Sequence, residues 1–277
     1  MSLQSDRSLF NDRYFVVTGS TQGLGAQVAE LLVNRGAAGV VICGRSEAKG
    51  QLLASRLSKK GCSVIFVQAN LGAVDDCRRV IATAKQAFGA LHGLVNCAAL
   101  TDRGSILDTT PELFDSMFNL NVKAPFFLIQ ETIKLMMDTN IAGSIVNIQS
   151  MSGHGGQSFL CPYSISKGAL AVLTKNVAFS ALRNRIRVNG LNIGWMDTPH
   201  EHDIQTQQHG APDNWLEAAE AKQPSGRLLK PLEVARAVCF LLSDESGMMT
   251  GAVIDMDQGV LGCGNDETPR PESPLPM

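Results

Sequence analysis

The segment Tyr14-Phe15-Val16-Val17-Thr18-Gly19-Ser20-Thr21-Gln22-Gly23-Leu24-Gly25 begins as a short apolar run and passes into a glycine-rich loop. A helical stretch follows to about Asn34. Strand, glycine loop and helix in this order have a chemical use. Backbone N–H groups at the helix start, together with the helix dipole, hold a pyrophosphate, and glycine lets that ligand come close. The spacing is G-x-x-x-G-x-G, not the G-x-G-x-x-G of other dinucleotide-binding folds.

The same alternation continues along the chain. Val40 to Cys43 reads as a strand, followed by a polar helix from Glu47 to about Lys60. Val64 to Val67 is a third strand, Val74 to Phe88 a helix, and Leu94 to Cys97 a fourth strand. Strands alternating with helices build a parallel sheet with helices on both faces. Their apolar residues run continuously, which agrees with burial on both sides. Ile145 to Ile148, Val188 to Ile193 and Ala252 to Met256 bring the strands to seven. The expected fold is α/β, a single doubly wound Rossmann-type domain over residues 11–262 with a seven-stranded parallel sheet flanked by helices. Residues 1–10 and 265–277 are expected to be flexible termini. Such sheets bind ligands beyond the carboxyl ends of their strands.

Composition narrows the class. The 277 residues are 44% apolar and 18% charged, with a net charge of −2. That balance makes no electrostatic case for nucleic acid. No apolar run approaches the roughly 20 residues that span a bilayer, and the first thirteen residues are polar and mixed. A cytoplasmic address is expected. None of the seven cysteines forms a C-x-x-C pair, and Cys43, Cys97 and Cys239 read as small buried hydrophobes.

A second stretch carries reactive groups: Ser150-Met151-Ser152-Gly153-His154, continuing to Pro162-Tyr163-Ser164-Ile165-Ser166-Lys167. Tyr163 and Lys167 are four residues apart, one helical turn on one face. Pro162 fits the first turn of a helix. A free phenol has a pKa of about 10, and a nearby ammonium is expected to lower it. Tyr163 then exchanges a proton with an alcohol or carbonyl. Ser150 ends the strand that precedes this helix.

A serine at a strand end followed by Tyr-x-x-x-Lys, in one chain with the Thr18-Gly19 glycine loop, resembles the short-chain dehydrogenase/reductase family. The resemblance covers roughly residues 11 to 262. It implies that Ser150 bonds the substrate oxygen, Tyr163 is the acid/base, and Lys167 binds the nicotinamide ribose. It also implies that Asn121 holds a water linking Lys167 to bulk. The cofactor site so implied comprises Gly19, Thr21, Gln22, Gly23, Leu24, Gly25, Arg45, Ser46, Asn70, Leu71, Asn96, Ala98, Tyr163, Lys167, Gly194 and Thr198. The acid that would bind the adenosine ribose after the second strand is absent, and Arg45 stands there instead. A guanidinium pairs with a 2′-phosphate where a carboxylate repels it, so NADP is expected, with NAD as the alternative. The family's second basic position is Gln22 here. Ala99 replaces a family glycine, and Ile193 a proline.

Residues 195–223 are polar and irregular, and their position resembles the family's substrate lid. His200-Glu201-His202-Asp203 within it reads as a solvated loop, not a metal site. Ser150, His154, Tyr163 and Trp195 are expected to meet a small polar alcohol or ketone, among Gln157, His200, His202 and Gln205. Pro111 to Met137 reads as one long helix, apolar nearly all round in its later part, which points to a homo-oligomer, tetramer or dimer. The expected function is an oxidoreductase interconverting a secondary alcohol and a ketone. A silent dinucleotide-binding sensor or scaffold is the alternative.

Overall fold

The protein is described here over residues 8–263 of a computed structural model. Its strands are β1 Tyr14–Val17, β2 Gly39–Gly44, β3 Ser63–Gln68, β4 Gly93–Asn96, β5 Ser144–Ser150, β6 Arg187–Ile193 and β7 Val253–Met256. They form one sheet in the order β3-β2-β1-β4-β5-β6-β7, and every neighbouring pair is parallel. The expected doubly wound sheet is therefore present. Its strand order reverses between β1 and β4, which opens a crevice at their carboxyl ends.

Alternate residues of β1 serve opposite faces. Phe15 and Val17 pack with α1 (Gly23–Asn34), α2 (Glu47–Ser58) and α9 (Pro231–Leu242). Val16 packs with α3 (Val74–Phe88), α5 (Ala124–Asp138) and α6 (Cys161–Ala181). Burial on both faces is what the continuous apolar strands require.

Several boundaries differ from expectation for physical reasons. Phe10, expected in a flexible terminus, is fully buried and meets Phe15 edge-on at 5.0 Å between ring centroids. An aromatic ring removed from water adds enough apolar burial to order the chain before residue 11. Residues 1–7 and the tail from 265 lie outside the described residues.

The expected long helix is α4 (Pro111–Phe118), a π-helical turn at Asn119–Lys123, and α5. Pro125 has no N–H for the Asn121 carbonyl, so the α-ladder cannot run through this point. The Ala124 N–H reaches back to Asn119 instead. Residues 195–223 are also more regular than expected, with α7 (Pro199–Asp203), a second π turn at Ile204–Gln208, and α8 (Trp215–Ala221). Thr198 caps α7 by accepting from the Glu201 N–H at 3.1 Å, and Pro199 fits its first turn. Trp215 is buried with Ala219 and Leu228 in a small core of their own. Among the described residues no helix is long and apolar enough to cross a membrane.

Candidate active site

The glycine loop holds the ends of β1 and β4 together. Thr18 Oγ1 accepts from the N–H groups of Cys97 at 3.0 Å and Ala98 at 3.1 Å. Gly19 has φ +60°, and a Cβ there would lie 2.7 Å from the Ala98 Cα, so the backbones touch. Gly23 has φ +57°, yet nothing lies within 4 Å of where its Cβ would stand. Gly23 therefore faces an open cradle at the start of α1. Gln22 caps α1 without a side-chain bond, so the first-turn N–H groups have no side-chain acceptor. These are the requirements for a pyrophosphate. Thr21 packs against the end of β2, where its methyl would lie 2.7 Å from any Cβ at Gly44.

At the turn after β2, Arg45 is exposed and Ser46 caps α2 by accepting from the Lys49 N–H. Lys49 Nζ donates to Gln22 Oε1 at 3.0 Å. A basic group therefore stands beside Gln22 although Gln22 itself is neutral. No local pattern marks Lys49, because the contact joins segments 27 residues apart.

The side chains of other expected cofactor residues are engaged within the protein. The Leu71 and Leu24 side chains are buried. Asn70 Oδ1 accepts from the Gly72 N–H at 3.2 Å, within its own turn. Asn96 is buried and donates to Asn147 Oδ1 at 2.8 Å, so its amide ties β4 to β5.

Ser150 lies at the end of β5, opposite Ile193 in β6. Isoleucine keeps an N–H, so β6 continues through the position where the family's proline would interrupt the ladder. Pro162 stands in the first turn of α6, as expected, and Tyr163 and Lys167 share one face of that helix. Lys167 is buried, and its Nζ donates to the Ile148 carbonyl at 2.9 Å and lies 5.6 Å from the Tyr163 ring centroid. Asn121 clamps the chain after β4. Its Oδ1 accepts from the Leu100 N–H at 2.8 Å, and its Nδ2 donates to Leu100 O at 2.9 Å and Ser166 Oγ at 3.0 Å. Ser166 donates in turn to the Tyr163 carbonyl at 2.7 Å.

The electrostatics correct one expectation. Burial pushes the Tyr163 hydroxyl up from its ordinary value, and this outweighs the hydrogen bond from Ser150 and the charge of Arg103, which pull it down. Lys167 does not offset that burial. It is itself depressed, to about 8, because its ammonium is desolvated. The neighbouring Cys97 thiol is pushed up to about 12 by burial, and Cys43 and Cys239 likewise, so these thiols stay protonated.

A cavity of about 680 Å³ opens over Ser150 and Tyr163. Its wall includes Trp195, Thr198, His200, Gln157 and Gln205 from the expected set, and also Met151, Phe159 and Leu160. Polar and apolar surface are thus interleaved. His154 does not line it. Its Nε2 lies 2.9 Å from Asp255 Oδ1 and 3.0 Å from Asn192 Nδ2. That network turns the ring toward β6 and β7 and pins the turn after Ser150. His202 is likewise drawn to Asp197 at 2.9 Å and to the Trp215 ring. Trp195 Nε1 and Gln205 Nε2 both donate to Glu201 Oε1 at 2.8 Å. Gly194 has no room for a Cβ, because the Asp257 carboxylate sits over it. Arg103, unmarked by any sequence motif, also lines this cavity.

Comparison with known proteins agrees with the geometry. A family model described as "Enoyl-(Acyl carrier protein) reductase" matches residues 19–261. The chain is 32% identical to an NADP-dependent (R)-specific alcohol dehydrogenase of Lentilactobacillus kefiri, over 88% of this chain and 94% of the relative. It is 30% identical to a tetrahydroxynaphthalene reductase of Pyricularia oryzae, over 88% of each. A crystal structure of a variant actinorhodin polyketide ketoreductase with NADPH superposes with a TM-score of 0.83 at 25% identity, covering 89% of this chain and 96% of that one. With its seven-stranded sheet and near full-length match, the chain belongs to the short-chain dehydrogenase/reductase family of oxidoreductases.

Proposed function

We propose that the protein is an NADP(H)-dependent oxidoreductase that interconverts a secondary alcohol and a ketone at Tyr163. The observation that carries this is the placing of Tyr163 and Ser150 together on the wall of one cavity, with the buried Lys167 ammonium 5.6 Å from the Tyr163 ring centroid. A bound nicotinamide supplies the hydride for reduction, or accepts it in oxidation. Ser150 donates to the substrate oxygen and sets its position. Burial keeps the Tyr163 phenol protonated, so in reduction its proton passes to that oxygen as the C=O bond becomes C–OH. In oxidation the same proton returns to Tyr163. Lys167, poised near 8, is the group from which the phenol is reprotonated, and the Asn121 carbonyl freed by Pro125 is an acceptor for the relaying water.

The pyrophosphate belongs on the cradle at Gly23. The 2′-phosphate belongs between Arg45, the Ser46 turn and Lys49, which supports NADP over NAD, as do the NADP-dependent relative and the NADPH-bound neighbour. Residues 195–223 act as a lid over the cavity. The apolar residues that α5 leaves exposed form the contact between copies of this chain.

The reading is tested by following reduced-nicotinamide absorbance across ketones, sugars, polyols and hydroxy acids. Turnover of at least one secondary alcohol or ketone, faster with NADP(H) than with NAD(H), is expected. Cofactor binding with no turnover of any of them would assign the protein a sensing or scaffolding role instead.

A further inference from the structure

We propose that Arg103 anchors a substrate carboxylate, so that the alcohol or ketone reacting at Tyr163 belongs to a hydroxy or oxo acid. This rests on the oxidoreductase reading and names the substrate class within it.

Arg103 is held in register with the catalytic helix. The Gly104 N–H donates to the Phe159 carbonyl at 2.9 Å, and the Cys161 N–H donates to the Gly104 carbonyl at 2.9 Å. Cys161 begins α6, two residues before Tyr163. The guanidinium lies over the Phe159 ring, 5.6 Å from its centroid, which fixes its plane at the cavity wall. Backbone ladder and ring together therefore aim Arg103 into the space that Tyr163 faces.

The group is under-used where it stands. Two of its five N–H donors are engaged, by His209 Nε2 and the Thr101 carbonyl, each at 3.4 Å. Among the described residues no ion pair involves Arg103. A half-buried guanidinium without a counter-ion is poorly compensated, and a carboxylate is its best bidentate partner.

The acidic residues of the cavity leave that role open. Glu201 Oε1 already takes the Trp195 and Gln205 donors. At the Tyr163 hydroxyl the charge of Arg103 outweighs that of Glu201. Asp257 packs on Gly194 and does not reach Tyr163. The second oxygen of Glu201 is then suited to accept from a further substrate hydroxyl.

The test uses matched probes: acetoacetate and other short oxo acids, each with its methyl ester and primary amide. The wild type is expected to prefer each acid over its ester by about ten- to a hundredfold in kcat/KM. In Arg103→Gln that ratio is expected to fall to about one, and in Arg103→Lys to an intermediate value, because the ammonium keeps charge but loses the fork. A ratio taken within one variant does not depend on how much of it folds. Calorimetric titration of gluconate and acetoacetate into the chain is the second readout, with binding expected in the wild type and lost in Arg103→Gln. Esters turned over as well as acids, or heats equal in the two proteins, would overturn the anchor and leave the oxidoreductase reading standing. Failure to bind any nicotinamide nucleotide would overturn both.

Discussion

The ammonium of Lys167 stands 5.6 Å from the ring centroid of Tyr163 and donates to the Ile148 carbonyl at 2.9 Å. The helical spacing of four residues creates this neighbourhood, and the carbonyl at the end of β5 fixes it. Lys167 is buried and Tyr163 half-buried, and desolvation acts on the two in opposite directions. It favours the neutral phenol and the neutral amine together.

That burial makes stability depend on pH in a defined window. Lys167 titrates at about 8 in the folded protein, against an ordinary value of 10.5. Between these values the unfolded chain holds the proton and the folded chain does not, so stability rises with pH across the window. Below about 8 the full cost of charging the buried amine is present, about 3 kcal/mol. In Lys167→Met this contribution is absent. Urea unfolding at pH steps through the window is expected to show the wild type gaining on the variant as pH rises. A constant difference would show that Lys167 is not held below its ordinary value.

Cofactor preference is expected to rest on two basic residues from different parts of the chain. Arg45→Ala and Lys49→Ala are each expected to weaken NADPH binding by about ten- to a hundredfold, with little change for NADH. Fluorescence titration of both nucleotides checks this. Equal affinity of the wild type for the two would remove the assignment to NADP and favour NAD.

Legibility in the sequence followed how local each feature is. The Gly19–Gly25 loop and the Tyr163–Lys167 spacing depend on neighbours in the chain, and the structure keeps both as read. Lys49 reaching Gln22, and Arg103 held by Phe159 and Cys161, depend on contacts between distant segments, so no local pattern marks them. His154 was expected in the cavity because it follows Ser150 closely, but partners on β6 and β7 turn it away. The direction in which Tyr163 shifts is set by enclosure of the whole site, which residue spacing does not report.

Self-association is expected through α5. Leu128, Ile129, Leu135 and Met136 are buried on the sheet, while Phe126 is 47% and Met137 54% exposed. Exposed apolar side chains on an otherwise buried helix mark a contact surface. Light scattering at micromolar concentration is expected to give a dimer or tetramer mass, and Phe126→Glu is expected to lower it. A wild-type mass of 29.6 kDa, that of the single chain, would contradict the expectation.

The most direct measurement is the kinetics of Tyr163→Phe beside its nucleotide binding. The substitution removes one hydroxyl and keeps the ring that packs near Lys167. On any substrate the wild type turns over, kcat is expected to fall by about a hundred- to ten-thousandfold, the contribution of general acid–base catalysis. NADPH affinity is expected to stay within about threefold of wild type, a change of under about 1 kcal/mol. Near wild-type kcat in Tyr163→Phe, with nucleotide binding intact, would contradict the assignment of Tyr163 as the proton donor.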